Sequence, residues 1–329
     1  MRVRRTWRRA SGGERPVTAL EVVEVGPRDG LQNAPRTLSQ GQRAEMISRL
    51  ARAGVPRIEA VSFVRADRVP QMADAELVLE KLPASTLDRS CGLVLNRAGL
   101  ARLSQTRLPA VRFTFAVSDE FNRRNSNAST EQGLRDALAI VDESRSLGLR
   151  VGVVLATAFA CPFTGLVDPG RTLAVAESIS AAGVDELVFA DTVGAAVPRE
   201  IRAVLQEAQG LPARLGVHLH NTRSTGYANA YAALEAGATV FDASIGGLGG
   251  CPFAPGATGN IATEDLIYLL EREGIDTGVD LDALIDTALW IRQDAELALE
   301  SQLHRAGYEP YMTNTARDRG HDVEKNAGR

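Results

Sequence analysis

Gly216-Val217-His218-Leu219-His220-Asn221-Thr222 is the stretch whose reading decides how this chain is built. Successive side chains of a strand point to opposite faces, so His218 and His220, two residues apart, share one face. Neutral imidazole nitrogens held side by side on a rigid strand are suited to one wall of a metal site. Rings that merely fill a barrel interior would show the same spacing, so the His-x-His pattern by itself leaves both readings open. The neighbours of this strand must separate them.

Outward from that strand, short β-branched runs alternate with longer amphipathic segments. Strands are predicted at residues 19–25, 57–63, 91–95, 110–117, 150–156, 186–190, 214–220 and 239–245. Helices are predicted at 40–53, 71–81, 97–104, 131–147, 171–182, 199–209, 225–236 and 263–273, with 118–129 read as a polar loop. Eight strand-then-helix units in about 250 residues have the number and size of a TIM (β/α)8 barrel. A doubly wound open sheet is the competing architecture, but it usually places its glycine-rich turn after the first strand, and here that loop follows the eighth. The expected organisation is an Arg-rich leader at 1–18, a barrel at 19–275, additional C-terminal helices packed on the barrel at 276–312 and a polar tail at 313–329.

Composition removes several classes of function. A formal net charge of −4 on 329 residues gives no overall electrostatic reason to bind nucleic acid. No apolar run approaches the roughly 18 residues of a membrane span. The three cysteines, Cys91, Cys161 and Cys251, are far apart and form no Cys-x-x-Cys pair, which argues against a disulfide scaffold or a structural zinc site and for a reducing compartment. Only Lys81 and Lys325 are lysines, and neither lies where a Schiff-base aldolase needs one. The leader holds Arg2, Arg4, Arg5, Arg8 and Arg9 and reads as a disordered arm, so the expected location is cytoplasmic; a transit segment there would make it mitochondrial.

The unusual polar residues collect at strand ends. Arg28 and Asp29 follow the first strand, Glu59 and Ser62 lie on the second, Asp191 ends the sixth, His218 and His220 end the seventh, and Asn260 closes the loop after the eighth. Each has a structural alternative: Asp29 capping a turn, Glu59 pairing with Arg28, Asp191 capping a helix. Their shared placement at the C-terminal mouth of a barrel favours a site. Two imidazoles, a carboxylate and an amide oxygen suit Mg²⁺ or Mn²⁺ better than Zn²⁺. The loop 246–260, Gly-Gly-Leu-Gly-Gly-Cys-Pro-Phe-Ala-Pro-Gly-Ala-Thr-Gly-Asn, reads as a lid carrying Cys251.

Glu24-Val25-Gly26-Pro27-Arg28-Asp29-Gly30-Leu31-Gln32-Asn33, Ser62-Phe63-Val64, Val69-Pro70-Gln71-Met72-Ala73-Asp74, Asp191-Thr192-Val193-Gly194 and the 246–260 loop together resemble the 3-hydroxy-3-methylglutaryl-CoA lyases of the DRE-TIM metallolyase superfamily. The resemblance runs from Val22 to about Leu284. It implies that Asp29, His218, His220 and Asn260 bind a divalent cation. Arg28 would stabilise the enolate oxygen of departing acetyl-CoA, Glu59 would hold Arg28, and Cys251 would close over the substrate. Cleavage needs the hydroxyl proton removed and the enolate charge stabilised. His218 or a metal-linked water is the candidate base, Asp191 an orienting carboxylate, and Cys251 a candidate proton donor.

The expected reaction is cleavage of 3-hydroxy-3-methylglutaryl-CoA, or a close 3-alkyl homologue, to acetyl-CoA and a 3-oxo acid. A condensing enzyme of the isopropylmalate synthase type and a non-catalytic acyl-CoA-binding barrel are the alternatives. The expected partner is a small acyl-CoA, with no nucleic acid or membrane, and the resemblance suggests a homodimer. The sequence departs from the family at Asn221, Pro35-Arg36, Arg65-Ala66-Asp67-Arg68 and Ala160, all in regions expected near the acyl tail or the CoA.

Overall fold

Strands β1 (Glu21–Glu24), β2 (Arg57–Ser62), β3 (Ser90–Val94), β4 (Ala110–Ala116), β5 (Arg150–Ala156), β6 (Glu186–Asp191), β7 (Arg214–Leu219) and β8 (Val240–Ala243) form the closed barrel of the computed structural model, which describes residues 20–250 and 259–307. Each pairs in parallel with its chain neighbours, and β1 closes the ring on β8 through Val22 opposite Phe241 and Glu24 opposite Ala243. The TIM barrel read from the alternating pattern is therefore the fold. The leader, the polar tail and Cys251 lie outside the described residues.

Local chemistry explains the helices that surround the ring. Helix α1 (Gln40–Arg52) starts at a capping box: Ser39 Oγ accepts from the Gln42 backbone N–H at 3.2 Å, and Gln42 Oε1 accepts from that of Ser39 at 3.1 Å. Gly54, at φ +86°, ends it where the Gly278 carbonyl would lie 2.7 Å from any added Cβ. The expected second helix is shorter, at Ala75–Glu80, because Asp74 takes a left-handed φ of +58° and separates it from a 3₁₀ turn at Pro70–Met72.

Residues 118–129, read as a loop, contain a helix at Asp119–Ser126. Its sequence is polar enough to hide the periodicity. Ser118 caps it, and the four-residue spacing of Asp119 with Arg123 and Glu120 with Arg124 gives side-chain pairs at 3.3 and 2.6 Å. At the C-terminal end, the helix Leu281–Asp294 packs on α1: the Asp280 N–H bonds the Ala53 carbonyl at 2.8 Å, and Arg49 stacks over Trp290. It stops at Asp294, and only a short turn at Leu303–Ala306 follows before 307. Among the described residues no helix is long and apolar enough to cross a membrane.

The interior is not uniformly apolar. Valines 23, 25, 154, 188 and 240 form one cluster, while Arg57, Glu59, Arg112, Glu186 and Asp242 are buried among the strands with their charges. Buried charges survive only when paired, and here they pair with one another.

Candidate metal centre and active site

Asp29 reaches the barrel mouth from a tight turn that leaves β1 at Gly26–Gly30. The backbone N–H groups of Arg28, Asp29 and Gly30 all converge on the Val25 carbonyl, at 3.1, 2.7 and 3.2 Å. This winding turns Arg28 inward and sets Asp29 beside β7. On β7 the alternation places His218 and, just past the strand end, His220 on the inner face, as the spacing predicts. His220 forms a bridge with Asn260, which brings the far end of the 246–260 loop to the same point.

The ligand atoms of Asp29, His218 and His220 lie within 4.8 Å of one another. His218 Nε2 is 3.3 Å from His220 Nε2 and 3.9 Å from Asp29 Oδ2. Asn260 donates from Nδ2 to Asp29 Oδ2 at 2.9 Å and to the Leu248 carbonyl at 3.1 Å. Its Oδ1, and His220 Nδ1, are buried without a hydrogen-bond partner among the described residues. The loop root can close this tightly because Gly259 has no side chain: a Cβ there would lie 2.4 Å from the Gly247 carbonyl.

Electrostatics agree with a cation at this point. Burial lowers the His220 imidazole to about 4, helped by the neighbouring His218, so His220 offers neutral nitrogens. Burial opposes charge on Asp29 as well, but Arg28 and both histidines outweigh it and hold the carboxyl well below its ordinary range. Against the opposition of burial, Asp242 and Asp29 hold the His218 imidazole above its ordinary value. The connected network sets four guanidinium groups, Arg28, Arg57, Arg112 and Arg214, against five carboxylates, Glu21, Asp29, Glu59, Glu186 and Asp242. The excess negative charge, the facing imidazoles and the unpartnered amide oxygen all fit a divalent cation.

Arg28 lies beside this cradle. Its Nε donates to Glu59, and its Nη1 to Asp29 Oδ1 at 2.7 Å. Glu59 is fully buried on β2 at a bulge, where the pairing with β3 shifts register between Glu59 and Val61. Arg28, Asp29, His218, His220 and Glu59 are thus brought together. Asp191 is not. Its two oxygens accept from the backbone N–H groups of Ala195 and Ala196 at 2.9 and 3.0 Å, so it braces its own loop instead of orienting a histidine.

Asp242 on β8 stands where that orienting carboxylate was expected, with Oδ2 3.2 Å from His218 Nδ1. Sequence reasoning missed it, and Arg112 and Glu186 with it. A visible signal existed: Arg112 and Asp242 are each the lone charge in an apolar strand destined for the interior, and Glu186 opens a strand whose next four residues are apolar. Among the four departures from the family pattern, only the segment 65–68 contributes to the cavity lining, through Arg65 and Arg68. Asn221 turns away, its Oδ1 accepting from the Gly226 N–H at the start of a helix. Cys91, on β3, is pushed up to about 12 by burial, in keeping with a structural thiol.

A cavity of about 1410 Å³ opens from the cradle. His218, Asp29 and Arg28 lie on its floor, while Arg65, Arg68, Arg102, Arg123 and Arg124 contribute to its rim. A parallel barrel carrying such a nitrogen and oxygen cluster at its C-terminal mouth defines a metal-assisted TIM-barrel enzyme.

The HMGL-like family model matches residues 19–291, and the chain belongs to that family. It is 43% identical over 303 residues to (R)-citramalyl-CoA lyase of Chloroflexus aurantiacus, covering 88% of this chain and 95% of the relative. It is 39% identical over 291 residues to hydroxymethylglutaryl-CoA lyase of Pseudomonas mevalonii, covering 88% and 96%. The structure of an HMG-CoA lyase from Acinetobacter baumannii in complex with coenzyme A and 3-methylmalate superposes with a TM-score of 0.85 at 33% identity, covering 92% of this chain and 99% of that one. The chain is accordingly an enzyme, a carbon–carbon lyase of the hydroxymethylglutaryl-CoA lyase type, in a family whose members depend on divalent metal.

Proposed function

We propose that this enzyme cleaves the CoA thioester of a 3-hydroxy-3-methyl (or 3-alkyl) dicarboxylic acid, such as 3-hydroxy-3-methylglutaryl-CoA, to acetyl-CoA and an oxo acid, with Mg²⁺ or Mn²⁺ bound. The observation that carries the reading is the gathering of Asp29, His218 and His220 within 4.8 Å beside Arg28 on the cavity floor. Asp29, His218, His220 and Asn260 would hold the cation. When bound there, it supplies Lewis-acid polarisation of the substrate hydroxyl and a neighbouring oxygen.

The remaining steps fall to side chains. Breaking the bond between C2 and C3 sends its electron pair toward the thioester oxygen, while the hydroxyl loses its proton and becomes the ketone. Arg28 has a terminal nitrogen, Nη2, uncommitted among the described residues, and this donor stabilises the enolate oxygen. His218 is committed at Nδ1 to Asp242, which leaves one lone pair, at Nε2. One lone pair cannot serve the cation and the hydroxyl proton together, so we assign His218 to the cation and the hydroxyl proton to a water held at the cradle, the other base the sequence offers. Cys251 keeps the part of proton donor to the enolate carbon that its loop suggests. The arginine rim is complementary to the phosphates of a CoA chain.

The test is a mass-spectrometric screen of products from 3-hydroxy-3-alkylglutaryl-CoA thioesters and (R)-citramalyl-CoA with Mg²⁺ present. Acetyl-CoA with acetoacetate identifies the glutaryl substrate, and acetyl-CoA with pyruvate the citramalyl one. Failure to release acetyl-CoA from any of them refutes the reading.

A further inference from the structure

Below the metal cradle, Arg112 crosses the barrel interior from β4, only 1% exposed. Its Nε donates to Glu186 Oε1 at 2.8 Å. A single nitrogen, Nη1, donates both to Asp242 Oδ2 at 2.9 Å and to Glu59 Oε2 at 3.2 Å. Space for these large groups comes from Gly152 on the adjacent strand, where a Cβ would lie 2.4 Å from Glu186 Oε1. The two carboxylates that Nη1 joins are not equivalent supports. Glu59 holds Arg28 through its other oxygen, and Asp242 holds the Nδ1 edge of His218.

We propose that Arg112 is a positioning residue that ties these two supports together, so that Arg28 and His218 meet the substrate and the cation in a fixed relation. The proposal rests on the metal-dependent lyase reading. A planar guanidinium can fork between three carboxylates inside a barrel, and an ammonium on a flexible stem cannot reproduce that geometry. A buried ion cluster kept only for stability is often replaceable by apolar side chains without loss, which separates the two roles experimentally.

Two variants are required, Arg112→Lys and the charge-balanced pair Arg112→Met with Glu186→Gln, each purified as the full chain. Folding is followed by circular dichroism and thermal unfolding, Mn²⁺ affinity by electron paramagnetic resonance with no substrate present, and kcat and KM by acetyl-CoA release. Positioning predicts folded protein whose Mn²⁺ affinity and kcat each fall about 10- to 100-fold, with KM nearly unchanged and Arg112→Lys the less impaired. A folded variant of either kind with wild-type Mn²⁺ affinity and kcat would overturn the proposal. Failure of both to fold would overturn it too, assigning Arg112 to stability alone. Should the wild type release no acetyl-CoA from any thioester, the proposed function fails, while Mn²⁺ affinity still decides the part of Arg112.

Discussion

Asp242 and Glu186 inside the barrel, with the partly exposed Asp29 at its mouth, and Glu24 and Glu264 between the strands and the helix Thr263–Arg272, are two sets of carboxylates that desolvation opposes alike in sign and their neighbours treat differently. Desolvation raises every one of them. In the inner set it is overcome, for Asp242 by Arg112 and His218 and for Glu186 by Arg112 and Arg57, so these acids are held below their ordinary range. No cation offsets burial for Glu24 or Glu264, and both rise to about 7. Negative charge is thus kept at the proposed cation cradle. The outer acids instead serve as pegs: Glu24 accepts from the N–H groups of Gly26 and Ile245 at 2.7 and 2.9 Å, and Glu264 from that of Gly246 at 3.0 Å. They fix the Arg28 turn and the root of the glycine loop from behind.

Neutralising the inner set where it meets the cation should have the largest effect. Asp29→Asn or His218→Ala is expected to abolish Mn²⁺ binding in a resonance titration and to lower acetyl-CoA release by more than about 10³-fold. Retention of both would break the contrast between the sets. Arg28→Lys comes next. It should cost about 10²- to 10³-fold in kcat while Mn²⁺ still binds, because the lost donor acts on the enolate oxygen.

The outer set predicts a pH effect on stability. Glu24 binds its proton more tightly folded than unfolded, so its contribution is complete below about 4.5 and is lost as pH rises through about 7. Urea unfolding should show Glu24→Gln removing about 2 kcal/mol of the stability that the wild type loses between pH 5 and pH 8. An unchanged pH slope would show that Glu24 does not titrate there. The inner acids have the opposite sign, their contribution fading as pH falls into the acid range. Smallest of all should be an exposed pair: Glu131→Ala, which removes the 2.6 Å contact with Arg135, should shift stability by no more than about 0.5 kcal/mol.

Most of the fold was legible because apolar runs at strand length recur between amphipathic segments, and strand alternation places His218 and His220 together without any tertiary knowledge. The helix at Asp119–Ser126 was not, because its stability comes from a cap and i,i+4 ion pairs instead of an apolar stripe. Asp29 and Asn260 were legible as ends of motifs. Asp191 was misread because a carboxylate after a strand can face the mouth or its own loop, and backbone N–H groups 2.9 and 3.0 Å away decided for the loop. Asp242 and Arg112 escaped because their meaning lies in pairing between β4, β2 and β8, a relation no local window contains.

The central claim, that the cluster of Asp29, His218, His220 and Asn260 works by holding a divalent cation for carbon–carbon cleavage, is tested most directly by acetyl-CoA release before and after chelation. The chelated enzyme should release none, and added Mg²⁺ or Mn²⁺ should restore the rate. Undiminished turnover in excess chelator would contradict it.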